Sequence, residues 1–211
     1  MLCCLKIIGI IGALCVTTKL TCKSMSVTPR RILAGNWLKL VLGWILSIAL
    51  RLIPFRPPNI ETVLAIQMPF AKKFGFLTAF IFAFVNILLY DVITAKVGVW
   101  TVITALAYGG LALFSNWYFK NRQATAINFA VHAVFATILY DIVTGLTIGP
   151  LFFGQSFIAA AIGQIPFTMY HLMGNVAFAL TLSPLIYRFL VSNPRFEYQY
   201  KKNLVIPKPS L

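Results

Sequence analysis

Residues 74–94 read FGFLTAFIFAFVNILLYDVIT, a run whose one charged residue is Asp91. As a helix rising about 1.5 Å per residue it reaches about 31 Å, enough to cross the hydrocarbon core of a bilayer. Runs of the same kind follow at 99–119 and 124–144, and the chain as a whole is 60% hydrophobic. A soluble domain has no interior large enough to hide so many long apolar segments, so the pattern predicts an all-α, polytopic membrane protein.

The charge balance supports this class. The chain carries 18 Lys and Arg against four acids, a formal charge of +14. Nucleic-acid binding would gather those bases on a soluble face; here they lie between apolar runs, where they set topology, and no nucleic-acid partner is expected. Further apolar runs fall at 37–53, 60–71, 150–165 and 167–191. With the basic N-terminal stretch inside, crossings at 37–53, 60–71, 74–94, 99–119 and 124–144 return Lys72, Lys73, Lys120 and Arg122 to the cytoplasm. The tail bases require one net crossing between 145 and 191. The stretch 150–165, interrupted by Gly154, Gly163 and Pro166, therefore reads as a partial or re-entrant helix before the last span. The expected architecture is six transmembrane helices, N-in/C-in, over residues 36–192. Fifteen bases fall inside, and Arg51, Arg56 and Lys96 outside. The short 60–71 run needs loop residues to extend it, or a thinned or protein-lined surrounding.

Residues 1–35 form a leader with no assigned function. It contains all four cysteines (Cys3, Cys4, Cys15, Cys22), and Met25 is an alternative start. Residues 193–211 form a basic cytoplasmic tail suited to an anionic lipid surface.

An internal repeat organises the polar residues. Leu88 to Thr94 (LLYDVIT) matches Ile138 to Thr144 (ILYDIVT) at an offset of 50, a weak repeat of a helical hairpin with both copies expected at the outer ends of spans. An Asp at a helix C-terminus faces the negative end of the macrodipole. Asp91 and Asp141 are therefore read either as carboxylates lining an outward cavity or as polar turn-formers, solvated or paired with a loop base such as Lys96. Thr144 shares a helical face with Asp141. In the outer corner after the first span, Asn59 reads as an N-cap and Glu61 lies in the first turn, with Arg51 and Arg56 beside them; the group reads either as a helix start with an Arg–Glu pair or as part of a ligand site. Thr101, Thr104, Tyr108 and Ser115 share one face of the fourth span. Asn128 and His132 share one on the fifth, with His132 opposite Asp141, and both read as bonds between helices. His171 and Asn175 are spaced i, i+4 near the outer mouth, close to Gln164 and Tyr170. Small residues at Gly43/Ser47, Ala79/Ala83 and Ala105/Gly109 allow close helix contact.

No phosphate-binding loop, His-Glu-x-x-His, Cys-x-x-Cys or Gly-x-Ser-x-Gly element is present. No cofactor, metal or enzymatic activity is expected. The ligand set read from the sequence is Arg51, Asn59, Glu61, Asp91, Trp100, Tyr140, Asp141, Thr144, His171 and Asn175. In it the acids meet ligand donors, Arg51, Arg56 and Lys96 meet acceptors, and Tyr90, Tyr140 and Trp100 form apolar walls.

Over roughly residues 36–192 the chain resembles the substrate-binding S components of energy-coupling-factor (ECF) transporters. The likeness rests on an Arg…Pro-Asn corner after the first span (Arg51, Pro58, Asn59) and on Asp-x-x-Thr-Gly at Asp141 to Gly145; in the first copy Ala95 replaces the Gly. The resemblance implies capture of a vitamin-like micronutrient at the outer face of a bacterial inner membrane. It also implies a transmembrane coupling protein and ATPase subunits as partners. Two other classes stay open. A structural scaffold of the cell envelope would show tight Asp–Arg pairs and no cavity. A membrane enzyme would show a carboxylate–His constellation within hydrogen-bond reach.

Overall fold

The computed structural model describes residues 29–54 and 60–196, with backbone alone for 29–35. Six helices follow in order: α1 (Pro29–Arg51), α2 (Val63–Phe74), α3 (Phe76–Ile93), α4 (Val99–Phe119), α5 (Ala126–Phe153) and α6 (Phe157–Leu185). α6 runs on through a π-helical segment, Ile186–Val191, and no strand occurs among the described residues. Among the described residues, four helices are long and apolar enough to cross a membrane: α3, α4, α5 and α6 with its extension. α1 begins at Pro29, inside the stretch read as leader. Residues 1–28 and 197–211, and with them the cysteines and most of the basic tail, lie outside the described residues.

α2 occupies the centre. Its 12 residues would rise only about 18 Å, yet Val63 through Ala71 are all buried. It packs against each of the other five helices. Of the surroundings that the short 60–71 run calls for, the observed one is protein. Gly75, at φ +83°, ends α2 and lets the chain reverse directly into α3. Gln67 within α2 donates to the Tyr108 carbonyl of α4 at 2.8 Å, and the Ala65 carbonyl accepts from Ser183 of α6 at 2.7 Å. Lys39 on α1, wholly buried, donates to the Val191 carbonyl at 2.8 Å, binding the first helix to the end of the last.

Small residues mark the tight crossings. A Cβ at Gly109 of α4 would lie 2.7 Å from the Phe80 ring of α3, and one at Gly43 of α1 would lie 2.9 Å from the Phe82 ring. Phe82 stacks on Phe70 of α2 with ring centroids 4.8 Å apart. Three helices thus meet on one aromatic stack.

The stretch 150–165 does not form a separate re-entrant helix. Thr125 caps the start of α5, accepting from the Asn128 N–H. The helix then runs unbroken through Pro150 to Phe153, and Gly154 closes it in the left-handed conformation at φ +62°. Ser156 caps α6, accepting from the Ala159 N–H, and α6 passes through Pro166 and Pro184 without stopping. Pro is a strong breaker where water can take the freed carbonyl; in an apolar setting the helix retains more hydrogen bonds by continuing. The repeat is asymmetric for the same reason. Asp91 lies two residues from the end of α3, whereas Asp141 lies twelve residues before the end of α5. The far half of the α5–α6 hairpin therefore projects past the polar level of the other helices. Its tip, 151–159, is exposed throughout, and 142–187 contain no Asp, Glu, Lys or Arg.

Gly109→Leu is expected to force Phe80 aside and to cost about 1–3 kcal/mol, the usual range for overpacking. Thermal unfolding of the detergent-solubilised protein should show a clearly lowered midpoint. An unchanged midpoint would mean that α3 and α4 do not meet at this level.

Candidate functional site

Arg51 is the last residue of α1, where a cation is favoured by the helix dipole. Its guanidinium lies 3.7 Å from the centroid of the Tyr90 ring on α3. Nη2 donates to Glu61 Oε1 at 3.2 Å. Glu61 sits two residues before α2, at the end of the helix where the dipole favours a carboxylate. Its other oxygen, Oε2, lies 3.3 Å from the Tyr108 hydroxyl, which is also 3.4 Å from His171 Nε2. His171 Nδ1 donates to Asp141 Oδ1 at 2.7 Å, with both side chains almost fully buried. A chain of polar groups thus runs Arg51–Glu61–Tyr108–His171–Asp141 across α1, the start of α2, α4, α6 and α5.

Aromatic packing holds this chain in place. The Tyr108 and Tyr140 ring centroids are 4.4 Å apart, and Tyr140 and Phe167 meet the His171 ring edge-on. One turn along α6, Asn175 donates to Thr137 Oγ1 of α5 at 2.8 Å. Thr144 is buried one turn beyond Asp141, and its hydroxyl donates to the Tyr140 carbonyl. Gly174, on the same stretch of α6, faces Ile60: a Cβ there would come 3.1 Å from the Ile60 Cα, so α6 bears directly on the segment carrying Glu61.

Among the described residues, four buried polar atoms in this region have no hydrogen-bond partner: Arg51 Nε, Arg51 Nη1, Asp141 Oδ2 and Asn175 Oδ1. Leaving a buried donor or acceptor unpaired costs about 1–3 kcal/mol, and more for a charged group.

Of the residues read from the sequence, Arg51, Glu61, Asp141 and His171 meet in one chain, with Tyr140, Thr144 and Asn175 beside it. Asp91 is placed differently. Its Oδ2 accepts from Thr101 at 2.6 Å, its carbonyl accepts from the Lys96 N–H, and Thr101 in turn accepts from the Gly98 N–H. Asp91 thus latches the α3–α4 turn, as a buried turn-former bonded to Thr101 rather than a solvated one or one paired with the Lys96 side chain. Trp100 belongs to the same turn; it is exposed and donates to the Lys96 carbonyl. Arg56 and Asn59 lie outside the described residues.

Tyr108 was legible only as one member of a polar stripe, yet it joins the two halves of the chain. Its signal is its position: on α4 it shares a face with Thr101, and both side chains are buried. Ser47, expected only as a small contact residue, and Asn86 add a polar pair nearby. They bond to each other at 3.2 Å, one turn from Arg51 on α1 and from Tyr90 on α3 respectively. His132 lies apart, in a cage of Phe114, Tyr118 and Phe119, with Nδ1 3.1 Å from Met68 Sδ. α5 therefore buries opposite faces at two levels.

Among the described residues no group of three or more His, Cys, Asp or Glu side chains is placed to hold a metal ion. No family model matches this chain, and neither a curated protein nor a solved structure matches it. The pairing of Asp141 with His171 is open to a double-mutant cycle. Asp141→Leu and His171→Phe should each destabilise the protein by about 3–5 kcal/mol, the cost of stranding one member of a buried pair. The double variant should cost well under the sum. Additive losses in detergent unfolding would show that the two side chains do not interact.

Proposed function

We propose that this chain is a multi-pass membrane protein that captures a small polar solute at the Arg51–Asp141 cluster. All six helices would cross, and both ends would lie on the cytoplasmic side. One observation supports the binding reading above others: buried atoms of Arg51 and Asp141, at the two ends of one chain of polar contacts, and of Asn175 beside it have no hydrogen-bond partner among the described residues. A ligand with an acceptor for the guanidinium and donors for Asp141 Oδ2 and Asn175 Oδ1 would satisfy them together. Uptake of a vitamin-like micronutrient, with a coupling protein and ATPase subunits as partners in a bacterial inner membrane, rests on the resemblance to ECF S components. The positive-inside distribution of bases supports the sidedness.

The test is to purify the full-length protein in mild detergent, identify the co-purifying small molecule by mass spectrometry, and titrate it back. Asp141→Asn removes a charged acceptor and should weaken binding about tenfold or more, the equivalent of about 1.5–3 kcal/mol; Asn59→Ala should weaken it as well. Asp91→Asn and Trp100→Ala should leave affinity within about twofold, since both residues serve the α3–α4 turn. Unchanged binding in Asp141→Asn would place the site elsewhere.

A second reading has one observation in its favour. The Asp141–His171 pair at 2.7 Å is the carboxylate–His arrangement expected of a membrane enzyme, in which the carboxylate orients the imidazole. The same experiment separates the two, because a binder returns its ligand chemically unchanged and an enzyme returns a product of different mass. Neither Asp forms the Asp–Arg pair expected of a scaffold among the described residues: Arg51 pairs with Glu61.

Topology has its own test, with the four native cysteines first replaced. Lys96→Cys should react with an impermeant maleimide in intact cells. Lys73→Cys and Lys120→Cys should react only after permeabilisation. Labelling of Lys120→Cys from outside would reverse the orientation.

A further inference from the structure

At the opposite end of the bundle, the turn from α4 to α5 carries Lys120 and Arg122 beside Lys72 from the end of α2. An open cleft of about 670 Å³ is lined there by Phe114, Trp117, Tyr118, Lys120, Asn121, Arg122 and Phe135. A second, of about 520 Å³, adjoins it across Lys120 and Arg122 and reaches Lys72 and Thr125. Among the described residues these bases have no carboxylate partner: Glu61 pairs with Arg51, and Asp91 and Asp141 bond to Thr101 and His171. The bases are nonetheless held in place. The Arg122 guanidinium lies 4.5 Å from the Tyr118 ring centroid. Lys72 Nζ donates to the Phe119 carbonyl at 2.8 Å, anchoring its charge at the C-terminal end of α4.

The lining changes character along the helices. From Lys120 back to Phe114 is about 9 Å of helix, and from Thr125 forward to Phe135 about 15 Å. Over that distance the walls pass from cationic to wholly apolar, with Trp117 71% exposed and Phe135 57% exposed. Trp and cationic side chains at one level mark the membrane–water interface, and the phenylalanines then lie at the depth of the acyl chains. A free anion would use the basic end and leave the apolar walls empty. An amphiphile uses both.

We propose that this cleft is a binding site for an anionic phospholipid, whose phosphate sits between Lys120 and Arg122 and whose acyl chain lies along Phe114 and Phe135. The site requires the chain to lie in a bilayer and is independent of the solute-binding reading. It lies about 18 Å along α4 from Tyr108, the distance from residue 108 to residue 120.

The experiment is native mass spectrometry of the full-length protein with phosphatidylglycerol and phosphatidylcholine of identical chains, with inorganic phosphate as competitor. The wild type should retain phosphatidylglycerol at least about fivefold over phosphatidylcholine, a preference worth about 1 kcal/mol at a surface base. K120Q/R122Q should lose the preference, K120R/R122K should keep it, and Phe135→Ser should weaken retention of both lipids. Inorganic phosphate should fail to displace the lipid. Melting curves identify any variant that has unfolded, and the charge-keeping variant then carries the comparison against wild type. Equal retention of the two lipids, or an undiminished preference in folded K120Q/R122Q, would overturn the proposal. Displacement by phosphate with no effect of Phe135→Ser would reduce the site to a simple anion site and overturn it equally.

Discussion

Inside a bilayer there is no water to hydrogen-bond a free backbone group, so a segment either completes its helix or is enclosed by protein. α2 takes the second course. With Val63 to Ala71 buried, its neighbours are positioned by the need to cover it. The charged ends of the central segment follow from the same enclosure. Glu61 precedes α2 and Lys72 and Lys73 close it, so an acid and two bases sit at opposite dipole ends of one buried helix. The polar chain to Asp141 runs through Glu61, and Lys72 reaches the smaller of the two basic clefts at the other end.

The polar chain cannot be fully satisfied by itself. Tyr108 has one hydroxyl proton and two acceptors in reach, Glu61 Oε2 at 3.3 Å and His171 Nε2 at 3.4 Å. If it donates to Glu61, His171 must carry a proton on Nε2 to bond to it; if it donates to His171, that Glu61 oxygen loses its partner. Both contacts are long for hydrogen bonds, as expected where one proton serves two neighbours. Stability alone does not account for this arrangement, since well-packed apolar residues in place of a buried ionic network are often neutral or stabilising.

Much of the fold was legible in the sequence, because long apolar runs have few alternatives in lipid. The run at 99–119 coincides with α4, and 74–94 encloses α3 closely. The structure departs from the sequence pattern at the expected breaks: Gly163 and Pro166 stay helical, and only Gly154 turns the chain. It was partial for the site for a different reason. Spacing along one helix identified Asp141 with Thr144 and His171 with Asn175. It could not show that Asp91 is spent on Thr101, nor that Tyr108 reaches both Glu61 and His171, because those facts depend on which faces of different helices meet. Two near-identical Tyr-Asp sequences thus have different tasks, one at a helix end and one in a helix interior.

The uncharged length of the α5–α6 hairpin bears on how the protein is made. With no Asp, Glu, Lys or Arg between residues 142 and 187, the growing chain presents the membrane-insertion machinery with two apolar helices joined at Gly154-Gln155-Ser156. Carrying a charged side chain to the bilayer centre costs a few kcal/mol on biological insertion scales. In the proposed six-span arrangement a hairpin with none would pass its tip across as one unit, and Arg188 would hold back the end of the second helix.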